Sequence, residues 1–135
     1  MASLSAEQNK ALVLEAFDTL FNKRDYAAAE RFWSDRYIQH SAHIAPGRDG
    51  LFGLVRTLPD TLRYENQLIL AEGDYVIAHG RFSGNARPAA WIASDVVRME
   101  DGKLASSLLA VFHEGRHQRT HVAQFLHQER HPRLF

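Results

Sequence analysis

The hydrophobic period of this chain changes near residue 60, from helical spacing to strict alternation, and that change limits the fold more than any other feature. Before it, Ser5 is a good N-cap, with Gln8 three residues on at capping-box spacing. Leu12, Val13, Ala16, Phe17, Leu20 and Phe21 then recur at helical intervals. Asn22-Lys23-Arg24-Asp25 ends this helix, and Asp25 caps a second short helix predicted from Tyr26 to Trp33. Leu51 to Leu58 reads as a third, stopped by Pro59. After the change, Leu62, Tyr64, Leu68 and Leu70 alternate with Arg63, Glu65, Gln67 and Ile69, with one slip at Ile69. Ala71-Glu72-Gly73-Asp74 is a turn, Tyr75 to Phe82 a β-rich run, Ser83 to Pro88 a loop and Ala90 to Met99 another strand. Glu100-Asp101-Gly102-Lys103 is a hairpin turn, because Asp-Gly supplies the positive φ angles that tight hairpins need, and Leu104 to Phe112 is the last strand. Helices followed by an antiparallel meander give an α+β fold. The sheet must cover one apolar face, and the N-terminal helices are the cover at hand. A strongly curved antiparallel sheet closing over them leaves a pocket at its mouth, where small-molecule sites commonly lie.

At 135 residues one domain is expected, able to bury roughly two-thirds of its unfolded surface. Sixteen basic residues balance sixteen acidic ones, so nothing in the charge draws the whole chain to nucleic acid or to a membrane surface. The absence of cysteine removes disulfides, thiolate chemistry and Cys-type zinc sites. Met1-Ala2-Ser3-Leu4-Ser5 lacks the basic start and apolar core of a signal peptide, and no run approaches the length of a membrane span. A soluble cytoplasmic protein is the expectation.

The densest mixture of titratable and apolar side chains is Tyr37-Ile38-Gln39-His40-Ser41-Ala42-His43-Ile44, an aromatic strand-like run followed by the turn Pro46-Gly47-Arg48-Asp49-Gly50. From His113 onward the composition departs from the rest. His113, His117 and His121 fall four apart, as do His127 and His131, among arginines and glutamines. A helix would stack each set as metal ligands; a solvated segment explains them more simply, and no metal is expected. The domain is therefore placed at residues 1–112, with a divergent His/Arg-rich segment at 113–135.

Four stretches together resemble the SnoaL-like polyketide-cyclase group of the nuclear-transport-factor-like superfamily. They are Tyr37 to Ile44, Gly47-Arg48-Asp49-Gly50-Leu51, Ala71-Glu72-Gly73-Asp74-Tyr75-Val76, and Asp95-Val96-Val97-Arg98-Met99-Glu100-Asp101-Gly102-Lys103-Leu104. The resemblance spans about residues 7 to 105. It implies a cystatin-like cone, often dimeric through the sheet, that applies acid/base chemistry to a small molecule without metal or cofactor. After the Asp-Gly-Lys-Leu turn and one further residue, here Ala105, the family pattern runs Glu-His-Trp-Asp, with the Asp as acid/base. Here those positions are Ser106, Ser107, Leu108 and Leu109, and leucine can neither take nor give a proton.

The acid/base candidates that remain are Asp95, His40 and His79. Asp95 shares the strand face of Ala93 and Val97. If that face is interior, desolvation raises its pKa toward neutrality; the other reading is an exposed carboxylate paired with Arg81 or Arg98. His79 lies on the side of Tyr75 and Ile77, as a catalyst or as a satisfied core histidine. His40 and His43 read either as base and hydrogen-bond donor at the pocket mouth or as a polar strand end. Tyr37, Trp91, Phe17 and Phe52 are core residues, or walls for a planar substrate together with His43. Two function classes follow: cofactor-free acid/base catalysis (aldol-type cyclisation, isomerisation, dehydration or hydrolysis), or a non-catalytic ligand-binding or dimeric interaction module.

Overall fold

The structure, a computed structural model, describes residues 4–114. The expected 113–135 segment, with His117, His121, His127 and His131, therefore lies almost wholly outside the described residues. Helix α1 (Ala6–Phe17) starts where its capping box places it. The Ser5 hydroxyl accepts from the Gln8 N–H at 3.1 Å, and Gln8 Oε1 accepts from the Ser5 N–H at 2.8 Å. The helix then widens into a π-helical turn, Asp18–Asn22, which buries Leu20 and Phe21 beside Phe17. Asp25 caps α2 (Tyr26–Ala29) by accepting from the Ala28 N–H at 3.1 Å.

Here local pattern and structure part. Helix α2 stops at Ala29, and Trp33 opens strand β1 (Trp33–Gln39) instead of closing a helix. Trp33 is fully buried in register with Leu104, and the Phe32 carbonyl accepts from the Leu104 N–H at 2.7 Å. A partner about seventy residues away overrides a weak helical preference. Helix α3 (Gly47–Thr57) begins ahead of the predicted Leu51. Pro46 precedes it with a fixed φ, and the Asp49 carboxylate in its first turn complements the helix dipole. At its other end the Arg24 guanidinium donates to the Val55 carbonyl at 2.9 Å and the Leu58 carbonyl at 3.3 Å.

Strands β2 (Arg63–Glu72), β3 (Tyr75–Ser83), β4 (Trp91–Glu100) and β5 (Lys103–His113) form the expected antiparallel meander. The spatial order is β1-β5-β4-β3-β2, and the edge strand β1 runs parallel to β5. The α+β class and the curled sheet over N-terminal helices thus hold, with one parallel edge added to them. The slip read at Ile69 is a physical β-bulge. Asn66 pairs with Gly80 and Leu68 with His79, which leaves Gln67 extra. Beyond it the faces exchange: Ile69 turns inward beside Ala78, while Leu68 and Leu70 turn outward. A second irregularity lies between Arg98 and Met99. Both bend the sheet.

Helix α1 packs on β2 and β3, and α3 packs on β1. The inner faces of β4 and β5 have least helix above them, and there the cavity opens. The core itself is aromatic: Phe17 stacks on Trp33 with ring centroids 6.3 Å apart, and Phe21 meets Phe82 edge-on at 4.9 Å. Asn22 ties the π-turn to the sheet, its Oδ1 accepting from the Tyr64 N–H at 2.7 Å and its Nδ2 donating to the Tyr64 carbonyl at 3.1 Å. Replacing Asn22→Ala strands both backbone groups of Tyr64. The urea midpoint should fall with an unchanged m-value, a loss of about 1–3 kcal/mol.

Candidate functional site

A cavity of about 690 Å³ opens between the helices and the inner faces of β4 and β5. Its walls are mostly apolar, with Phe17, Phe21, Trp33, Phe82, Trp91 and Leu109 prominent, and its polar groups are few. Strand alternation decides which side chains enter. On β4 the odd-numbered residues Trp91, Asp95 and Val97 line the cavity; on β5 the inward set is Ser107, Leu109, Val111 and His113.

Asp95 is the carboxylate of this wall. It is buried in mid-strand, opposite Ala78 on one side and Leu109 on the other. Desolvation is the cause that pushes its pKa up, to about 7, and no described residue hydrogen-bonds to it. The position the resemblance marks for an acid/base is therefore an apolar neighbour, directly across the β4–β5 ladder from the carboxylate the chain does have.

A hydroxyl network lies one pleat away. Ser107 is the diagonal neighbour of Asp95 on that ladder, at a Cα separation of about 7–8 Å. Its Oγ shares a hydrogen bond with the Tyr37 hydroxyl, which also accepts from Gln39 Nε2 at 2.9 Å. Gln39 Oε1 in turn accepts from the Ser41 N–H at 3.0 Å, and the Ser41 hydroxyl accepts from the Leu109 N–H at 2.9 Å. Burial pushes the Tyr37 phenol up to about 12, with the Asp95 charge adding to the rise and the Ser107 bond opposing it. The phenol is thus a neutral hydroxyl at working pH, held in place by side chains from β1 and β5.

Of the residues expected from sequence, Asp95, Tyr37, His43, Trp91 and Phe17 meet at this cavity. The other three do not. Phe52 is buried behind the wall, edge-on to Trp33 at 5.6 Å. His40 is exposed, and its backbone N–H donates to the Ser107 carbonyl at 3.0 Å. His79 is on the opposite face of the sheet, with Nδ1 2.6 Å from the Ser94 hydroxyl, because its neighbour Ala78 is the residue that shares the face of Asp95. Partial burial lowers the His79 pKa there. Sequence reasoning passed over Gln39, Ser41, Ser107, Arg87 and His113 as cavity residues. Counting register back from the Asp101-Gly102 turn would have set Ser107 and His113 on the outer face, because the irregularity between Arg98 and Met99 shifts the β4–β5 pairing by one residue; no periodicity marks Arg87, which lies in a loop. Among the described residues no group of three or more His, Asp or Glu side chains converges as a metal site, and no described helix is long and apolar enough to cross a membrane.

A buried carboxylic acid links protonation to folding. With a folded pKa near 7, above the ordinary Asp value of about 3.9, Asp95 contributes most below about pH 4, where both states are protonated. That contribution disappears as pH rises through 7. Asp95→Asn mimics the protonated form, so it should stabilise the protein by on the order of 2–4 kcal/mol at pH 8 and leave stability at pH 4 nearly unchanged. Thermal melts of both proteins across pH 4–8 measure this; parallel curves would contradict it.

A family model described as SnoaL-like domain matches residues 13–107. No curated protein matches the chain in sequence. Several solved structures share its fold. A candidate ketosteroid isomerase from Kribbella flavida is 18% identical, covering 82% of this chain and 80% of that one, with a TM-score of 0.67. A candidate polyketide cyclase from Bacillus cereus is 18% identical over 80% of this chain and 78% of that one, at 0.69. An NTF2-like protein of unknown function from Cytophaga hutchinsonii is 17% identical over 82% and 93%, at 0.67.

Proposed function

Because the chain belongs to the SnoaL-like family, a family of small-molecule pocket proteins, we propose that it catalyses cofactor-independent proton transfer at a carbon next to a carbonyl, with Asp95 as the acid/base. One observation carries this reading: a carboxylate with no hydrogen-bond partner among the described residues, buried in the wall of an apolar cavity, with its pKa near neutrality. A general base is most effective with a pKa close to the working pH. The role that the family pattern gives to position 109 thus passes across the ladder to Asp95.

The steps follow from the geometry. The Asp95 carboxylate takes a proton from the substrate carbon, and the electron pair of that C–H bond moves into an enolate. Negative charge gathers on the former carbonyl oxygen. The Tyr37–Ser107 pair supplies one hydroxyl hydrogen from the same wall: with Ser107 and Gln39 both donating to the phenol oxygen, the Tyr37 O–H is the one left to point at the substrate. Donors fixed before the charge develops lower its energy without reorganisation. Protonated Asp95 then returns the proton to another carbon, which isomerises the substrate, or to the oxygen formed when the enolate carbon attacks a second carbonyl, which closes a ring. Both outcomes agree with the isomerase and cyclase labels borne by structures of the same fold. His43 and the aromatic residues Phe17, Trp33 and Trp91 shape the space around a planar substrate.

With a keto substrate accepted by the cavity, kcat/KM should rise with pH and level off above an apparent pKa near 7. Asp95→Asn should reduce kcat by ~100- to 10,000-fold with the fold intact. Unchanged turnover in that variant removes Asp95 from the mechanism.

The outer face of the sheet supports a second element of this reading, a homodimer. Leu70, Ile77, Val96 and Leu108 pair in sequence across four strands and are all exposed. A continuous apolar row on a sheet face that no described element covers suits a second copy related by a two-fold axis, which lays the same row against itself. Light scattering coupled to size exclusion should give a dimer for the full chain and a monomer for Ile77→Lys. A monomeric parent protein would refute the arrangement.

A further inference from the structure

The cavity is chemically polarised along its length. At one end Trp91 on β4 faces His113 on β5, and both line the cavity. Arg87, in the loop before β4, and His43, in the segment after β1, line the same cavity. The Arg87 loop is built rather than loose. Asn85 is buried at its base, where Oδ1 accepts from the Arg87 N–H at 3.3 Å and Nδ2 donates to the Ala89 carbonyl at 3.2 Å. Gly84 enters the loop at φ +67, and a Cβ there would lie 2.1 Å from the Thr61 carbonyl oxygen, so the chain must turn at this point. The Thr61 hydroxyl closes the turn by donating to the Gly84 carbonyl at 2.6 Å. His43 follows Ser41 by two residues, and the Ser41 hydroxyl accepts from the Leu109 N–H, which anchors the start of that segment to β5.

Toward the other end stands Asp95, four residues beyond Trp91 on the same strand face, or about 13 Å at about 3.3 Å per residue. It is the one carboxylate of the cavity lining among the described residues. Arg87 carries a permanent positive charge and pairs with no carboxylate among them; the ion pairs present use Lys10, Lys23, Arg81 and Arg98. The wall between the two ends is apolar and largely aromatic.

We infer that the cavity takes an amphipathic organic acid, its carboxylate held at the mouth by Arg87 with His43 and His113, and its flat apolar body pointing the carbonyl end inward to Tyr37 and Asp95. This rests on the acid/base reading of the same site and adds the substrate class to it. Arg87 attracts the anion by a fork of donors that fits a carboxylate, and Asp95 repels it from the far end, so one orientation is selected. A neutral analogue of the same shape keeps the aromatic contacts and loses the anchor.

The test uses 2-naphthylacetate and its neutral counterpart 2-naphthylacetamide, with the quenching of tryptophan fluorescence as the readout, since Trp33 and Trp91 line the cavity. The full-length protein should bind the acetate about tenfold more tightly than the amide at low salt. Arg87→Gln should abolish that preference while leaving the amide affinity within about twofold, and Asp95→Asn should keep the preference within about twofold. Equal affinity for the two probes, a preference that survives Arg87→Gln, acetate binding tightened more than about tenfold by Asp95→Asn, or no binding of either probe at about 1 mM would each overturn the inference. Turnover is not read, so a failed acid/base mechanism leaves this result standing, and a failed anchor leaves Asp95 in its role.

Discussion

The structure depends on an unequal match between a five-stranded sheet and the helices available to cover it. Helix α1 reaches β2 and β3, α3 reaches β1, and the central pair β4–β5 is spanned from the sides rather than from above. Had a longer helix crossed that pair, the inner face would be filled core and Asp95 would have no place in it. Instead the aromatic residues of α1, the π-turn and β1 form a ring around a void. The Asp95 carboxylate, pointing into that void, is dehydrated with no hydrogen-bond partner among the described residues, and this condition moves its proton affinity toward neutrality.

The parallel contact between β1 and β5 completes the site. It brings Tyr37 against Ser107, seventy positions apart in the chain, and carries Gln39 and Ser41 along the edge of β5. Each hydroxyl or amide in that string has a partner, so the donors are immobilised before any ligand arrives. This order is set as the protein folds, before any ligand is bound, which is how a preorganised site differs from water.

Features fixed by local chemistry were legible in the sequence. The Ser5/Gln8 box, the Asp25 cap and the Asp101-Gly102 hairpin depend on residues within a few positions of each other, and all form as the sequence suggests. That Asp95 shares a face with Ala93 and Val97 also followed from alternation on a regular strand, although alternation left open that this face is the inner one. What failed had distant causes. Trp33 belongs to a strand because Leu104 pairs with it, and nothing near Trp33 announces that. Parity placed His79 with Tyr75 and Ile77 correctly, yet parity alone does not say which side of a sheet the helices will cover. The slip at Ile69 was visible as a broken pattern; its meaning, an extra residue that exchanges the two faces, required the partner strand. Arg87 left no trace because loops carry no period.

Strand β5 also shows how such a chain can diversify. Ser107, Leu109, Val111 and His113 look into the chamber, while Ser106, Leu108, Ala110 and Phe112 look away from it. Two traits are therefore interleaved on one ribbon, and drift in either register leaves the other untouched. Substitutions at every second residue retune what the chamber admits and leave the outer face as it was, and substitutions between them do the reverse.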